Sequence, residues 1–267
     1  MPVPPPCTRL GRQCRELTVT VHIANLDEDT PAERDESATW LLGHTERIQF
    51  GKPYVRGRDL YADAVVQVEC KHLRPGSRGV GTPGGNGRPE VQCGALGYRG
   101  ALPQASRLTA PTFHLGPNRY RIVEGGKIRE LVLAPPKAPK RALPVMQGAN
   151  PCDGAPCRTA DNTRGAACCR DLTLDVVAPI GDDRTEALLR SRKSPYLCKV
   201  KRSDDTTIEC EVISACGYLA DDGISCVLHD RLRPDGTLAK PGLCYEWPDF
   251  EDDEEYTGHP GCVLIDD

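Results

Sequence analysis

Nine of the fourteen cysteines in this 267-residue chain fall between Cys152 and Cys244. They begin as C-x4-C-x10-CC (Cys152, Cys157, Cys168, Cys169), continue through Cys198 and Cys210, and close as C-x9-C-x17-C at Cys216, Cys226 and Cys244. Thiols at this density are either paired as disulfides or bound to metal. Apolar burial has less to offer than usual. The chain holds three Phe and two Trp, and its 24 Pro and 26 Gly break it into short, turn-linked segments. Metal or disulfide cross-links are therefore expected to hold parts of the fold together.

The segment Met1-Pro-Val-Pro-Pro-Pro-Cys7 has neither the charged nor the apolar region of a secretory signal. No apolar run approaches the roughly 18 residues needed to span a bilayer. The expectation is a cytoplasmic protein with reduced thiols and no membrane association, which favours metal over disulfides.

Charge divides along the chain. Residues 1–150 carry 21 Lys and Arg against 14 Asp and Glu, and residues 151–267 carry 13 against 24. Two solvated surfaces of opposite sign account for this. Basic and aromatic residues do not interleave as they do in a single-stranded nucleic-acid groove, so nucleic acid is the weaker partner reading; a protein partner stays open.

Read in order, Leu17 to Ala24 alternates as a strand, with Leu17, Val19, Val21 and Ile23 on one face and His22 on the other. Thr30-Pro31-Ala32-Glu33 has the form of a capping box, predicting a helix to about His44 with Ala38, Leu41 and Leu42 on its apolar stripe. Strands are expected at 46–50, 54–55 and 60–68, the last two joined by a hairpin turn at Arg56-Gly57-Arg58-Asp59. The glycine-rich stretch 74–89 reads as a loop. A second hairpin, 119–123 with 127–133, is expected to complete the first sheet. A short helix is expected at 183–192, and another hairpin at 196–200 with 208–212.

The fold class expected is α+β, loop-rich, with small antiparallel sheets and few short helices. Its second half is expected to be organised around a metal-bound cysteine cluster. The domain reading is a small α+β unit at 1–133, a Pro/Lys-rich linker at 134–149, a cysteine-cluster domain at 150–248 and an acidic tail at 249–267. Cys7, Cys14, Cys70 and Cys93 fall near the ends of the first unit's elements and form a second candidate four-thiolate site, in which His72 could replace one sulfur. On a two-residue turn at Asp204-Asp205, Cys198 faces Glu211 and Cys210 lies on the opposite sheet face, so the two thiols do not meet without a bulge.

Beyond the CC pair the chain shows Cys216 with Leu219, an acidic-glycine turn, Cys226 with Val227-Leu228, Arg233-Pro234, and Cys244 with Trp247-Pro248. These residues resemble the zinc- or iron-chelating cysteine-cluster family of YkgJ type, over about residues 150–248. The resemblance implies Cys152, Cys157, Cys168, Cys169, Cys216, Cys226 and Cys244 as metal ligands. The family packs its opening cysteines tightly before CC, whereas ten residues intervene here. The region is also similar to the cysteine-rich part of flagellin lysine N-methylases, which implies an iron–sulfur cluster. No Ser/His/Asp set, HExxH or phosphate loop stands out. The acidic group Asp27, Asp29, Glu33, Asp35 and Glu36 is explained by caps and exposed helix faces. The functional expectation is a zinc- or iron-binding cysteine-cluster protein; the alternative is an iron–sulfur enzyme of redox or protein-modification type, so catalysis is left open.

Overall fold

The computed structural model describes residues 7, 10–76, 90–104, 119–124, 127–132, 156–229, 231–232, 236, 238–241 and 244. Cys152, the 134–149 linker, Arg233-Pro234, Trp247-Pro248 and the 249–267 tail lie outside them.

The alternation read at the start of the chain forms β1 (Leu17–Asn25), whose inward face holds Leu17, Val19, Val21 and Ile23. It pairs antiparallel with β4 (Asp59–Val66), setting Val19 opposite Ala64 and Val21 opposite Ala62. Along the other edge of β4 lie β2 (Ile48–Phe50) and β3 (Tyr54–Arg56). The β3–β4 turn closes at Arg56 opposite Asp59, with Gly57 at φ +67°, a left-handed value that suits glycine. On its second side β1 pairs with β10 (Asp171–Val177), where Val21 faces Val176. The sheet continues through β12 (Thr207–Ile213) to β11 (Leu197–Arg202), in the order β11-β12-β10-β1-β4-β2 with β3 also on β4.

Strands expected in two domains, on either side of residues 134–149, thus hydrogen-bond in one seven-stranded sheet. They also share one core. Val21, Leu60, Ala62, Leu172, Leu174, Val176, Ile208 and Val212 are each fully buried in a single cluster. The cluster is closed by α1 (Pro31–Gly43), through Ala38, Leu41 and Leu42, and by α2 (Asp183–Arg190), through Leu188 and Leu189. The observed architecture is α+β with antiparallel sheets. Residues 171–213 build on this aliphatic core, and the cysteine-rich turns pack outside it.

The start of α1 is set by chemistry local to the sequence. Thr30 accepts the Glu33 amide and Glu33 accepts the Thr30 amide, a complete capping box with Pro31 at the first helical position. Asp182 caps α2 by accepting the Thr185 amide. The 203–207 loop departs from expectation. Ser203 donates to Thr207, which leaves three residues in the turn, and a bulge between Cys198 and Lys201 restores the pairing. Cys198 still faces Glu211, as expected.

Two small sheets stand apart. One runs β5 (Leu73–Pro75), β6 (Glu90–Cys93) and β7 (Arg99–Ala101). The other is the hairpin of β8 (Arg119–Glu124) and β9 (Lys127–Val132), which is a two-stranded sheet of its own and not a completion of the first sheet. No helix among the described residues is long and apolar enough to cross a membrane.

Truncating Leu174, fully buried at the sheet centre, to Ala should cost about 2–5 kcal/mol in urea unfolding. Removing the cap with Thr30→Ala should cost about 1 kcal/mol in the same measurement.

Candidate metal centre

Cys168 and Cys169 occupy one turn of 3-10 helix, Ala167–Cys169, entered through Ala166 at φ 47°. The turn feeds directly into β10. The neighbouring strand brings Cys216 to it, because β12 ends at Ile213 opposite Asp171 and the next residues continue antiparallel alongside the turn. Ser214 donates to the Arg170 carbonyl at 2.7 Å and Cys216 to the Cys169 carbonyl at 2.8 Å.

From Cys216 onward the chain repeats one local device. The Cys216 sulfur accepts the Tyr218 amide at 3.5 Å and is also hydrogen-bonded by the Leu219 amide. The Cys226 sulfur receives the Leu228 and His229 amides in the same way. Leu219 and Cys226 pair as a single antiparallel bridge, so the two cysteine turns lie side by side. Tyr218, Leu228 and Ala239 form a small apolar cluster beneath, with Cys216, Cys226 and Val227 packed on it. Cys244 closes a Pro241–Cys244 turn and lies within electrostatic reach of Cys216. Lys240 is within reach of both Cys168 and Cys226.

Burial pushes the Cys216 thiol up to about 12, against the pull of its two amide donors. Cys226 is raised by burial too, opposed by the Leu228 amide and Lys240. Cys168 is raised most by its hydrogen bond with the Cys169 thiol and next by burial. These are neutral thiols at pH 7 and poor nucleophiles. The N–H donors, by contrast, are arranged for a charged sulfur.

Cys157 is buried against Ala167, one residue from the CC pair. Cys152 lies outside the described residues. Cys210 is fully buried in the main core opposite Leu174, and Cys198 contacts Glu211 at 3.8 Å on the other sheet face, so neither joins the cluster. The side chain of His229 is exposed. All twelve described cysteines are free thiols. Among the described residues, no group of three or more His, Cys, Asp or Glu is arranged so that it could hold a metal ion.

Comparison with known proteins adds no relative. No protein-family model, no curated protein and no solved structure matches this chain.

One residue at this site went unread in the sequence. His44 follows α1 and pairs with Cys216 as an isolated bridge, clamped by Gly217 donating to Gly43 and Thr45 to Ala215. A Cβ on Gly43 would stand 3.5 Å from the Cys216 sulfur, so helix end and thiol are in contact range. His44 is buried, and its Nδ1 donates to the Trp40 carbonyl at 2.7 Å. That tautomer leaves Nε2 as an acceptor, and Nε2 has no hydrogen-bond partner. The sequence shows only a histidine after a helix-ending glycine, with nothing to mark it as buried.

Burial holds His44 down at about 4, against an ordinary 6.5. Its contribution to stability is therefore complete above pH 6.5 and is lost as pH falls from 6.5 through 4. The full difference is about 3 kcal/mol. His44→Asn keeps a donor for the Trp40 carbonyl, and should flatten this part of the pH dependence in urea unfolding at pH 7 and pH 4.5, both in chelator.

Proposed function

We propose that this chain is a metal-binding protein whose second-half cysteines hold zinc or iron, with Cys168, Cys169, Cys216, Cys226 and Cys244 as the ligand pool. The observation that supports this most is the repeated turn. Two half-buried sulfurs in succession each receive a pair of backbone amides, an arrangement that favours the thiolate form. Thiolates at this density suit zinc or an iron–sulfur cluster. The donor set fits such an ion chemically. Lys240, close to two of the sulfurs, would offset part of their negative charge. Cys152 and Cys157, implied by the resemblance to the cysteine-cluster family, belong to the same proposal as further ligands. His44, with an unpartnered nitrogen next to Cys216 in the backbone pairing, is the candidate nitrogen donor.

What the ion supplies here is structural cross-linking of turns with little apolar surface of their own. The alternative, an iron–sulfur enzyme of redox or protein-modification type, would use the same cysteines but add inorganic sulfide to the iron.

The test is elemental analysis of full-length protein purified without oxygen. Zinc or iron should copurify in fixed ratio to chain, and the Cys216→Ser/Cys226→Ser double variant should lose the ion of this site. Colourless protein with zinc supports the structural role, and brown protein with iron and sulfide the alternative. Metal-free parent protein whose thiols resist maleimide after denaturation without reductant would sink the proposal.

A further inference from the structure

The four remaining first-half thiols converge from separate segments. Cys14 ends a 3-10 turn (Arg12–Cys14) before β1, Cys70 follows β4, and Cys93 ends β6; these three are buried, and Cys7 is partly exposed. The Cys70 amide donates to the Cys14 carbonyl at 2.9 Å. The Cys70 carbonyl accepts the amide of Leu73, which pairs with Cys93 across β5 and β6. Cys7 lies within electrostatic reach of the other three.

Against this group is a buried cation. Arg192 is 2% exposed and pairs with Cys70 as an isolated bridge. Its guanidinium donates to the carbonyls of Leu188 at 3.0 Å, Gln13 at 2.7 Å and Val68 at 3.2 Å, and to the Ser191 hydroxyl at 3.0 Å. All of these acceptors are neutral, and among the described residues no carboxylate pairs with it. A buried charge calls for an opposite one. The sulfurs of Cys70, Cys14 and Cys7 are the groups placed to supply it.

The second observation concerns β5, β6 and β7. No residue of these strands belongs to a buried hydrophobic cluster among the described residues. A three-stranded sheet without a core of its own needs another anchor. Cys93 is the buried residue of β6 and points to where that anchor lies.

We propose that Cys7, Cys14, Cys70 and Cys93 form a second, independent metal site for a tetrahedral, thiolate-preferring divalent cation of the zinc class, which fastens the N-terminal segment and the β5–β7 sheet to the end of β4 and the last turn of α2. Four thiolates around a divalent ion carry a net charge of about −2, the complement that Arg192 lacks. Each thiol releases its proton to solvent as its sulfur takes the ion. As placed, the four are not yet a closed ligand set, and Cys7, the most exposed, is the one that binding would draw in.

The experiment uses the full chain, expressed with added zinc and purified without oxygen, as parent, as Cys7→Ser/Cys93→Ser, and as Cys216→Ser/Cys226→Ser. Metal per chain is read by mass spectrometry, and amide hydrogen exchange is read over 73–75 and 90–101. The first variant should hold one ion fewer than the parent and exchange about tenfold faster or more in β5–β7. Parent-like metal content and exchange in that variant would overturn the proposal. Should it fail to fold, iodoacetamide labelling of the parent decides. Cys7 should be modified only after chelation, and equal labelling with and without chelator overturns the site. The same Cys7 protection in Cys216→Ser/Cys226→Ser is expected, which separates failure here from failure of the second-half cluster.

Discussion

The pairing of β1 with β10 is the constraint on which the rest of this structure depends. Val21 opposite Val176 joins strands more than 150 residues apart, and every larger feature follows from it. It turns two short antiparallel groups into one sheet with one inward face. It lets both helices close the same core from widely separated parts of the chain. It also brings the end of α1 against the turn after β12, which is how His44 comes to pair with Cys216.

A core of Val, Leu, Ile and Ala accounts for the sheet without help from sulfur. Of the described cysteines, only Cys210 belongs to it. The remaining described thiols occupy turns and strand ends at its margin, where apolar burial falls away. The turns around Cys216 and Cys226 rest on three buried residues, and the β5–β7 sheet rests on none in any cluster. Sulfur chemistry is thus concentrated where the hydrophobic effect has least to work with. In small domains, metals and cross-links serve the same purpose.

Burial and hydrogen bonding pull these thiols in opposite directions. Removal from water favours the neutral S–H, while amide donors at Cys216 and Cys226 favour the anion. At Cys14 burial dominates, yet Arg192 beside it needs a negative partner.

Local rules made much of the fold legible. The period-two pattern from Leu17, the Thr30–Glu33 capping box, the Gly57 turn and the facing of Cys198 with Glu211 each depend on residues a few positions apart, or on one hairpin. Partnership between distant segments was not legible. Nothing in the alternation of β1 says whether its second neighbour comes from residues 119–133 or from 171–177, because any apolar strand face presents the same complementary surface. The burial of His44 and the charge of Arg192 against three sulfurs depend on the same long-range pairing. The sequence alone determined which short segments become strand, helix or thiol-bearing turn, since those choices are made by neighbours along the chain. Only the tertiary structure decided that both halves share one core and which sulfurs stand together, since those contacts join residues that the chain itself keeps far apart.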